Sequence, residues 1–70
     1  MGMYKVSKEF VDYVCGKNNE VNANELTAEI TKEYGENYEV KLNKKIPCIF
    51  GDTDIFGIMK VDFDKNFVKI

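Results

Sequence analysis

The last third of the chain alternates apolar and polar residues, which is the pattern of a β-strand with one buried face. Over residues 55–63 the apolar side chains fall mainly at odd positions, and Lys60 and Asp62 lie between them. Polar residues at 64–66 favour a reversal, after which the chain returns as the apolar stretch 67–70. These features predict a closing β-hairpin against which the earlier elements pack.

The register of this hairpin depends on the length of its loop. A two-residue loop places Phe63 opposite Val68, so that apolar residues share one face of the hairpin. A three-residue loop with Asn66 in the left-handed region is also chemically reasonable. It would place Lys69 opposite Val61 and mix the two faces, so the first register is the preferred prediction.

A first helix is predicted to begin after Ser7, whose side chain is suited to accept a hydrogen bond from the first turn. Val6 and Val11 stand at the positions of a hydrophobic staple across this start. Gly16 can adopt the positive φ that closes many helices, so the helix is expected to end near Cys15.

A second helix is predicted over residues 22–35. Asn22 is a suitable cap, and Glu25 completes a reciprocal capping box three residues later. Apolar residues recur at spacings of three and four, which is the spacing of one helix face: Ala23, Leu26, Ile30 and Tyr34. Gly35 is the predicted end.

After Gly35 the period changes to two, and residues 38–42 read as a half-buried strand. Residues 43–45 are expected to turn the chain into a short apolar strand at 46–50, and residues 51–54 form the next turn. Pro47 lacks an amide hydrogen and therefore belongs at an edge or at the start of its strand.

The predicted element order is α-α-β-β-β-β. This is an α+β fold in which two N-terminal helices pack on a three- or four-stranded antiparallel sheet. Seventy residues allow one domain spanning 1–70, and 44% hydrophobic residues suffice for a small core. A chain this short is expected to be only marginally stable alone, so a homodimer interface or a larger partner is expected to add to its stability.

The positive charge comes from ten lysines, with no arginine and no histidine, and the net charge is −2. Because bidentate recognition of phosphate and guanine relies on arginine, nucleic acid is a less favoured partner than protein. Abundant Lys, Asn, Ile and Glu with only two alanines is the usage of an AT-rich genome. We therefore expect a bacterial source, or a phage or mobile element living in an AT-rich bacterium.

Cys15 and Cys48 are too few and too far apart in sequence for a zinc site. A disulfide between them has no support in the sequence, so two reduced, buried thiols are expected. No apolar run approaches the ~18 residues of a membrane span, and no signal peptide is recognisable. The expectation is a cytoplasmic protein without contact with a membrane.

Neither metal nor catalytic chemistry is predicted. The aspartates with calcium-loop spacing are the pairs 52/54 and 62/64, and neither pair is followed by both the glycine and the closing glutamate that an EF-hand requires. No histidine is present to act as a base, and both cysteines lie in apolar surroundings. Gly51 is interpreted as a turn residue and Gly57 as a bulge or close contact, so no phosphate loop is expected. The chain is predicted to be non-enzymatic and to bind no cofactor.

Residues 6–35 resemble the opening of a winged helix: a helix, a short polar loop, and a capped helix beginning Asn22-Ala23-Asn24-Glu25-Leu26. This resemblance implies a DNA-binding protein with the closing hairpin as its wing. It is kept as the alternative function. Two features oppose it, since no helix is predicted directly after the second one and the exposed face of that helix carries glutamates that repel phosphate.

The preferred function is a small protein–protein interaction or regulatory domain, such as an inhibitor or accessory protein of a phage or mobile element. Its predicted partner-binding residues are Phe56, Ile58 and Phe67, which fall on the hairpin face opposite the core. Either the helices cover part of that face, or the three side chains stay exposed and favour a partner or self-association.

Overall fold

Five strands and two helices follow one another along the chain in this computed structural model, which describes residues 2–70. The elements are β1 (Tyr4–Val6), α1 (Lys8–Cys15), a 3-10 turn (Ala23–Glu25), β2 (Thr27–Tyr34), β3 (Asn37–Cys48), β4 (Gly51–Met59), α2 (Lys60–Asn66) and β5 (Phe67–Lys69). The strands form one antiparallel sheet in the order β4-β3-β2-β1-β5. The two ends of the chain therefore meet, and β4 and β5 are the two edges.

The core lies between one face of the sheet and the two helices. Neighbouring strands place Ala28 beside Leu42, and Val40 between Ile30 and Phe56, so these side chains share that face. The buried side chains of the core come from the sheet, the helices and the segments between them: Val6, Phe10, Val11, Leu26, Ala28, Val40, Leu42, Ile46, Ile58, Phe63 and Phe67. The radius of gyration of 11.1 Å is that of a compact 70-residue chain.

Aromatic rings dominate the part of the core beneath α2. The Phe63 ring stacks on Phe67, with centroids 4.6 Å apart, and meets Tyr4 and Tyr38 edge-on at 4.9 and 5.1 Å. Phe10 of α1 lies 5.0 Å from Phe67. Edge-on and stacked pairs at these distances add to the free energy gained by burying the rings.

The structure has a helix where α1 was predicted. The Ser7 hydroxyl accepts a hydrogen bond from the Phe10 amide at 3.0 Å. Gly16 has φ 88°, and its amide donates to the Asp12 carbonyl at 2.9 Å. The capping signals therefore located both ends of this helix.

The second predicted helix is wrong. The Asn22 side chain does accept from the Asn24 amide at 3.0 Å, but the capped unit is a single 3-10 turn. The chain becomes β2 at Thr27, and Leu26 and Ala28 are buried at alternate positions. Gly35, with φ 60°, lies in the tight turn between β2 and β3 instead of ending a helix.

The predicted turn at residues 43–45 is a bend within β3. The pairing of β3 with β4 shifts register between Lys41 and Ile46, and β3 continues to Cys48. The Asn43 side chain stabilises the bend, since it accepts from the Thr27 amide and donates to the Glu25 carbonyl, both at 3.0 Å. The reversal into β4 falls at residues 49–50, ahead of the predicted turn at 51–54.

The predicted closing hairpin is also wrong. Residues 60–66 form α2, and β5 pairs with β1 through Val6 and Phe67 instead of with the strand before it. A helix buries Phe63 and leaves Val61 60% exposed, whereas a strand would have placed both on the same face. The Asn66 amide group also donates to the Asp62 carbonyl one turn earlier, at 2.9 Å.

The predicted architecture of two N-terminal helices before a three- or four-stranded sheet is therefore incorrect. The chain is a small α+β fold with one five-stranded antiparallel sheet, a short N-terminal helix and a C-terminal helix. Residues 27–34 are a strand, so the helix that the winged-helix resemblance required is not there.

Candidate interaction surface at the β4 edge

The two edges of the sheet differ in their accessibility to another strand. β5 has only three residues and ends at Lys69, and a short charged edge strand resists pairing. β4 has nine residues and, within residues 2–70, pairs with β3 alone. Its outer side presents backbone amide and carbonyl groups to an additional strand. At Ile55 these groups are already engaged, because the Thr53 hydroxyl accepts from the Ile55 amide at 3.1 Å and donates to the Ile55 carbonyl at 3.3 Å.

The segment 55–59 of β4 lacks the charged residues and the proline that commonly protect an edge strand. Its residues are Ile-Phe-Gly-Ile-Met, without charge or proline. Its pairing with β3 is regular, from Lys41 opposite Ile55 to Asn37 opposite Met59. Ile55 and Met59 are 50% and 52% exposed on the open face of the sheet. A regular, apolar and accessible edge of this kind favours pairing with a further strand.

A groove of about 500 Å³ lies beside β4 on the side of the sheet that carries the helices. The walls come from α1, β4 and α2, and the lining residues are Glu9, Phe10, Tyr13, Val14, Phe56, Gly57, Ile58, Met59, Asp62 and Asn66. Tyr13 is 82% exposed, whereas Phe56 is half-buried and meets Phe10 edge-on at 5.3 Å. An exposed tyrosine beside a half-buried phenylalanine is a common composition of protein-binding surfaces.

Hydrogen bonds fix the wall that α1 contributes. Ser7 caps α1 and its hydroxyl also donates to the Asn66 side chain of α2 at 3.0 Å. The Ser7 amide donates to the Asn66 carbonyl at 2.9 Å. The first turn of α1 is thus tied to the last turn of α2, and the width of the groove is set by the fold.

The rim of the groove is acidic. Glu9 and Asp62 line it, Asp52 and Asp54 stand at the start of β4, and no lysine is found among the described residues of the lining. Asp12 of α1 is outside this lining and adds little, because Lys8 pairs with it at 3.0 Å and, with Asn19, lowers the pKa of its carboxyl group. This surface therefore attracts positive charge.

At the far end of β4, Lys60 is engaged within the protein. Its ammonium group donates to Glu33, and this bond raises the pKa of Lys60. The same group lies 5.2 Å above the centre of the Tyr38 ring. The charge of Lys60 is thus directed toward Glu33 and Tyr38 and does little to offset the acidic rim.

The three predicted partner-binding residues occupy different depths in this region. Phe56 and Ile58 both line the groove, although Ile58 is only 7% exposed. Phe67 is 4% exposed and lies beneath Phe10. They do not share a hairpin face, because that hairpin does not form, and their role in binding stays a prediction. The sequence interpretation missed Tyr13, whose position off the apolar face of α1 was the available signal.

Other kinds of site find little support in residues 2–70. Within that range no group of three or more acidic or cysteine side chains is arranged to hold a metal ion. No helix there is both long enough and apolar enough to cross a membrane.

Comparison of the chain with protein-family models, curated proteins and solved structures found no match. The candidate function is therefore argued from the geometry of the β4 edge and the groove.

Proposed function

We propose that this chain is a non-enzymatic interaction domain that binds an extended segment of a partner protein along β4. The observation that carries the proposal is the combination of an apolar edge strand, free of charge and proline over residues 55–59, with a groove along the same strand. Addition of a strand to a sheet edge gains affinity from main-chain hydrogen bonds and specificity from pockets for alternate side chains.

Both faces of an added strand would find apolar contacts. Side chains that point toward the helices would enter the groove between Tyr13 and Phe56. Side chains that point the other way would lie against Ile55 and Met59, which are half exposed. Because successive residues of a strand face opposite sides, one extended segment would use both sets of contacts at once.

The charge of the surface favours a basic partner segment. Glu9 and Asp62 at the groove and the aspartates at the start of β4 would attract lysine or arginine at the ends of the bound strand. The proposed ligand is an extended segment of alternating apolar residues flanked by basic ones. Small size, slight acidity and AT-rich residue usage support an inhibitor or accessory protein of a phage or mobile element, acting in the cytoplasm.

A selection from a library of random displayed peptides tests this proposal. We expect the enriched peptides to alternate apolar residues and carry basic ends, and to perturb the NMR amide signals of β4 and α1. Ile55→Lys places a charge on the β4 edge and should weaken binding at least tenfold. Val68→Lys is the matched control, because Val68 is 66% exposed on the opposite edge strand; it should leave binding unchanged.

Peptides that bind the two lysine variants equally well, or that perturb only signals outside β4 and the groove, would contradict the proposal. Sedimentation of the free chain is measured alongside. A dimer that Ile55→Lys dissociates, with no peptide enriched, would identify a second copy of the chain as the occupant of the edge. Far-UV circular dichroism of each variant shows that the fold is retained.

A further inference from the structure

The two cysteines of the chain lie close together, where the end of β3 meets the end of α1. Cys15 is the last residue of α1 and Cys48 is the last residue of β3. A backbone hydrogen bond joins the residues next to them, from the Ile49 amide to the Val14 carbonyl at 3.3 Å. Both thiols are free, both are half-buried, and both pack against the same core. The sequence had suggested two unrelated buried thiols.

We propose that Cys15 and Cys48 are a redox-active pair and form a reversible disulfide with each other. The oxidant is a low-molecular-weight disulfide such as oxidised glutathione. One protein thiolate attacks a sulfur of the oxidant and releases one glutathione thiolate. The second protein thiolate attacks the mixed disulfide and releases the other glutathione. The protein loses two electrons and two protons, and the oxidant is reduced to two thiols.

The surroundings of Cys15 determine how fast and how readily this reaction proceeds. Burial, with smaller contributions from the neighbouring Cys48 thiol and the Asp12 carboxylate, raises the pKa of Cys15 to about 11. At neutral pH its thiolate is scarce, so attack by Cys15 is slow and accelerates as the pH rises toward this pKa. Because no stabilised thiolate favours the reduced form, the disulfide is not a strong oxidant once it has formed.

The disulfide would link the C-terminal end of α1 covalently to the end of the β3–β4 hairpin. The reduced chain holds this junction by packing and by the single backbone bond between Ile49 and Val14. Closing the long loop between the cysteines restricts the unfolded chain, and we expect Tm to rise by roughly 10–20 °C. This inference does not depend on the proposed binding function.

The test equilibrates the folded chain in glutathione buffers of increasing oxidised fraction at pH 8, followed by acid quenching and alkylation of free thiols. Intact mass should show a monomer that has lost two hydrogens and takes up no alkylating agent. Dithiothreitol should restore two alkylation sites and the lower Tm. Cys15→Ala and Cys48→Ala should each yield only glutathione adducts or free thiol.

The same buffers containing concentrated urea provide the reference for chance pairing in an unfolded chain. The folded chain should form the intramolecular disulfide at a lower oxidised fraction than the unfolded chain does. If the folded chain keeps two free thiols, carries glutathione on both, or forms disulfide-linked dimers, the proposal is wrong. The proposal is equally wrong if the folded chain needs as high an oxidised fraction to form the disulfide as the chain unfolded in urea.

Discussion

At the scale of single residues, the five phenylalanines divide according to what surrounds each ring. Phe63 is 4% exposed and contacts three other rings, whereas Phe50 is 99% exposed at the tip of the β3–β4 hairpin. Hydrophobicity alone does not distinguish them in the sequence. The difference arises from α2, which turns Phe63 into the core, and from the reversal at residues 49–50, which turns Phe50 into solvent.

Replacing these two phenylalanines by alanine should therefore have very different effects on stability. Phe63→Ala removes a fully packed ring and should lower the free energy of unfolding by about 3–5 kcal/mol. Phe50→Ala removes a ring with almost no contacts and should change it by no more than about 0.5 kcal/mol. Urea denaturation followed by circular dichroism measures both.

A loss of about 3–5 kcal/mol is most of the free energy of unfolding of a 70-residue chain. Phe63→Leu is therefore the milder substitution to measure at the same position. The leucine variant keeps an apolar group in the core and should show a complete transition at a lower urea midpoint. Equal midpoints for the variants at 63 and at 50 would mean that Phe63 is not the centre of the aromatic cluster.

At the scale of elements, local chemistry determined those parts of the fold that the sequence predicted correctly. The start of α1 depends on Ser7 and its end on Gly16, and both interactions lie within a few residues of the helix. The capping signal at Asn22 was equally genuine, but a cap specifies where a helical turn begins and not how long it continues. Only one turn follows it, because the residues from Thr27 onward pair with β3 as strand β2.

The stretch 26–30 explains why β2 was mistaken for a helix. Leu26 and Ile30 stand four residues apart, which fits a helix face, yet Leu26, Ala28 and Ile30 also alternate as in a strand. Pairing with β3 decides between the two, since it places Ala28 beside Leu42 and Ile30 beside Val40. The pattern within residues 26–30 does not itself distinguish the alternatives.

The bend in β3 is an element-scale feature that depends on one side chain. Asn43 bridges the 3-10 turn and β2 through the Glu25 carbonyl and the Thr27 amide. Asn43→Ala leaves both groups without this partner and should cost about 1–2 kcal/mol in the free energy of unfolding. Asn18→Ala, an exposed asparagine in the loop after α1, is the control and should cost less than about 0.5 kcal/mol.

Urea denaturation of the two variants gives this comparison, and hydrogen exchange at the Thr27 amide gives a local one. Exchange at Thr27 should be faster in Asn43→Ala than in the parent chain, with amides of α1 unchanged. If both asparagine variants are equally stable and Thr27 exchanges at its original rate, the bridge does not hold the bend.

At the scale of the whole molecule, the order of the strands joins the two ends of the chain and leaves its two edges unequal. β1 and β5 pair although they lie at opposite ends of the sequence, and this pairing places β4 alone at the far edge. No pattern within residues 55–70 indicates that the partner of β5 is β1. The closing hairpin was predicted from the alternation over residues 55–63 and the polar residues at 64–66, and both signals are local to this stretch.

The candidate site is predictable only in part for the same reason. Phe56, Ile58 and Phe67 were predicted to bind a partner from their positions in one stretch of sequence; the first two line the groove and Phe67 does not, and their role in binding stays a prediction. Tyr13 and Asp62 complete the groove from two helices that only the folded chain brings beside β4. The presence of a strand and its apolar residues can be inferred from its own sequence. Whether that strand is an edge of the sheet depends on which other strands pair with it.

The contact between the two ends makes β5 essential to the whole fold. A chain shortened to residues 1–66 loses Phe67, which is 4% exposed between Phe10 and Phe63, and leaves β1 without its second neighbour. We expect it to lose the dispersed NMR spectrum of a folded protein.

Removal of Ile70 alone is the control, because Ile70 is 67% exposed and contributes one backbone bond to the Met3 carbonyl at 2.9 Å. That chain should stay folded with Tm lowered by roughly 4–8 °C, the effect of about 1 kcal/mol in a domain of this size. The opposite result is a chain of residues 1–66 that keeps a native spectrum and melts within a few degrees of the full chain. It would show that β2, β3 and β4 with the two helices form the stable unit and that the pairing of the chain ends is secondary.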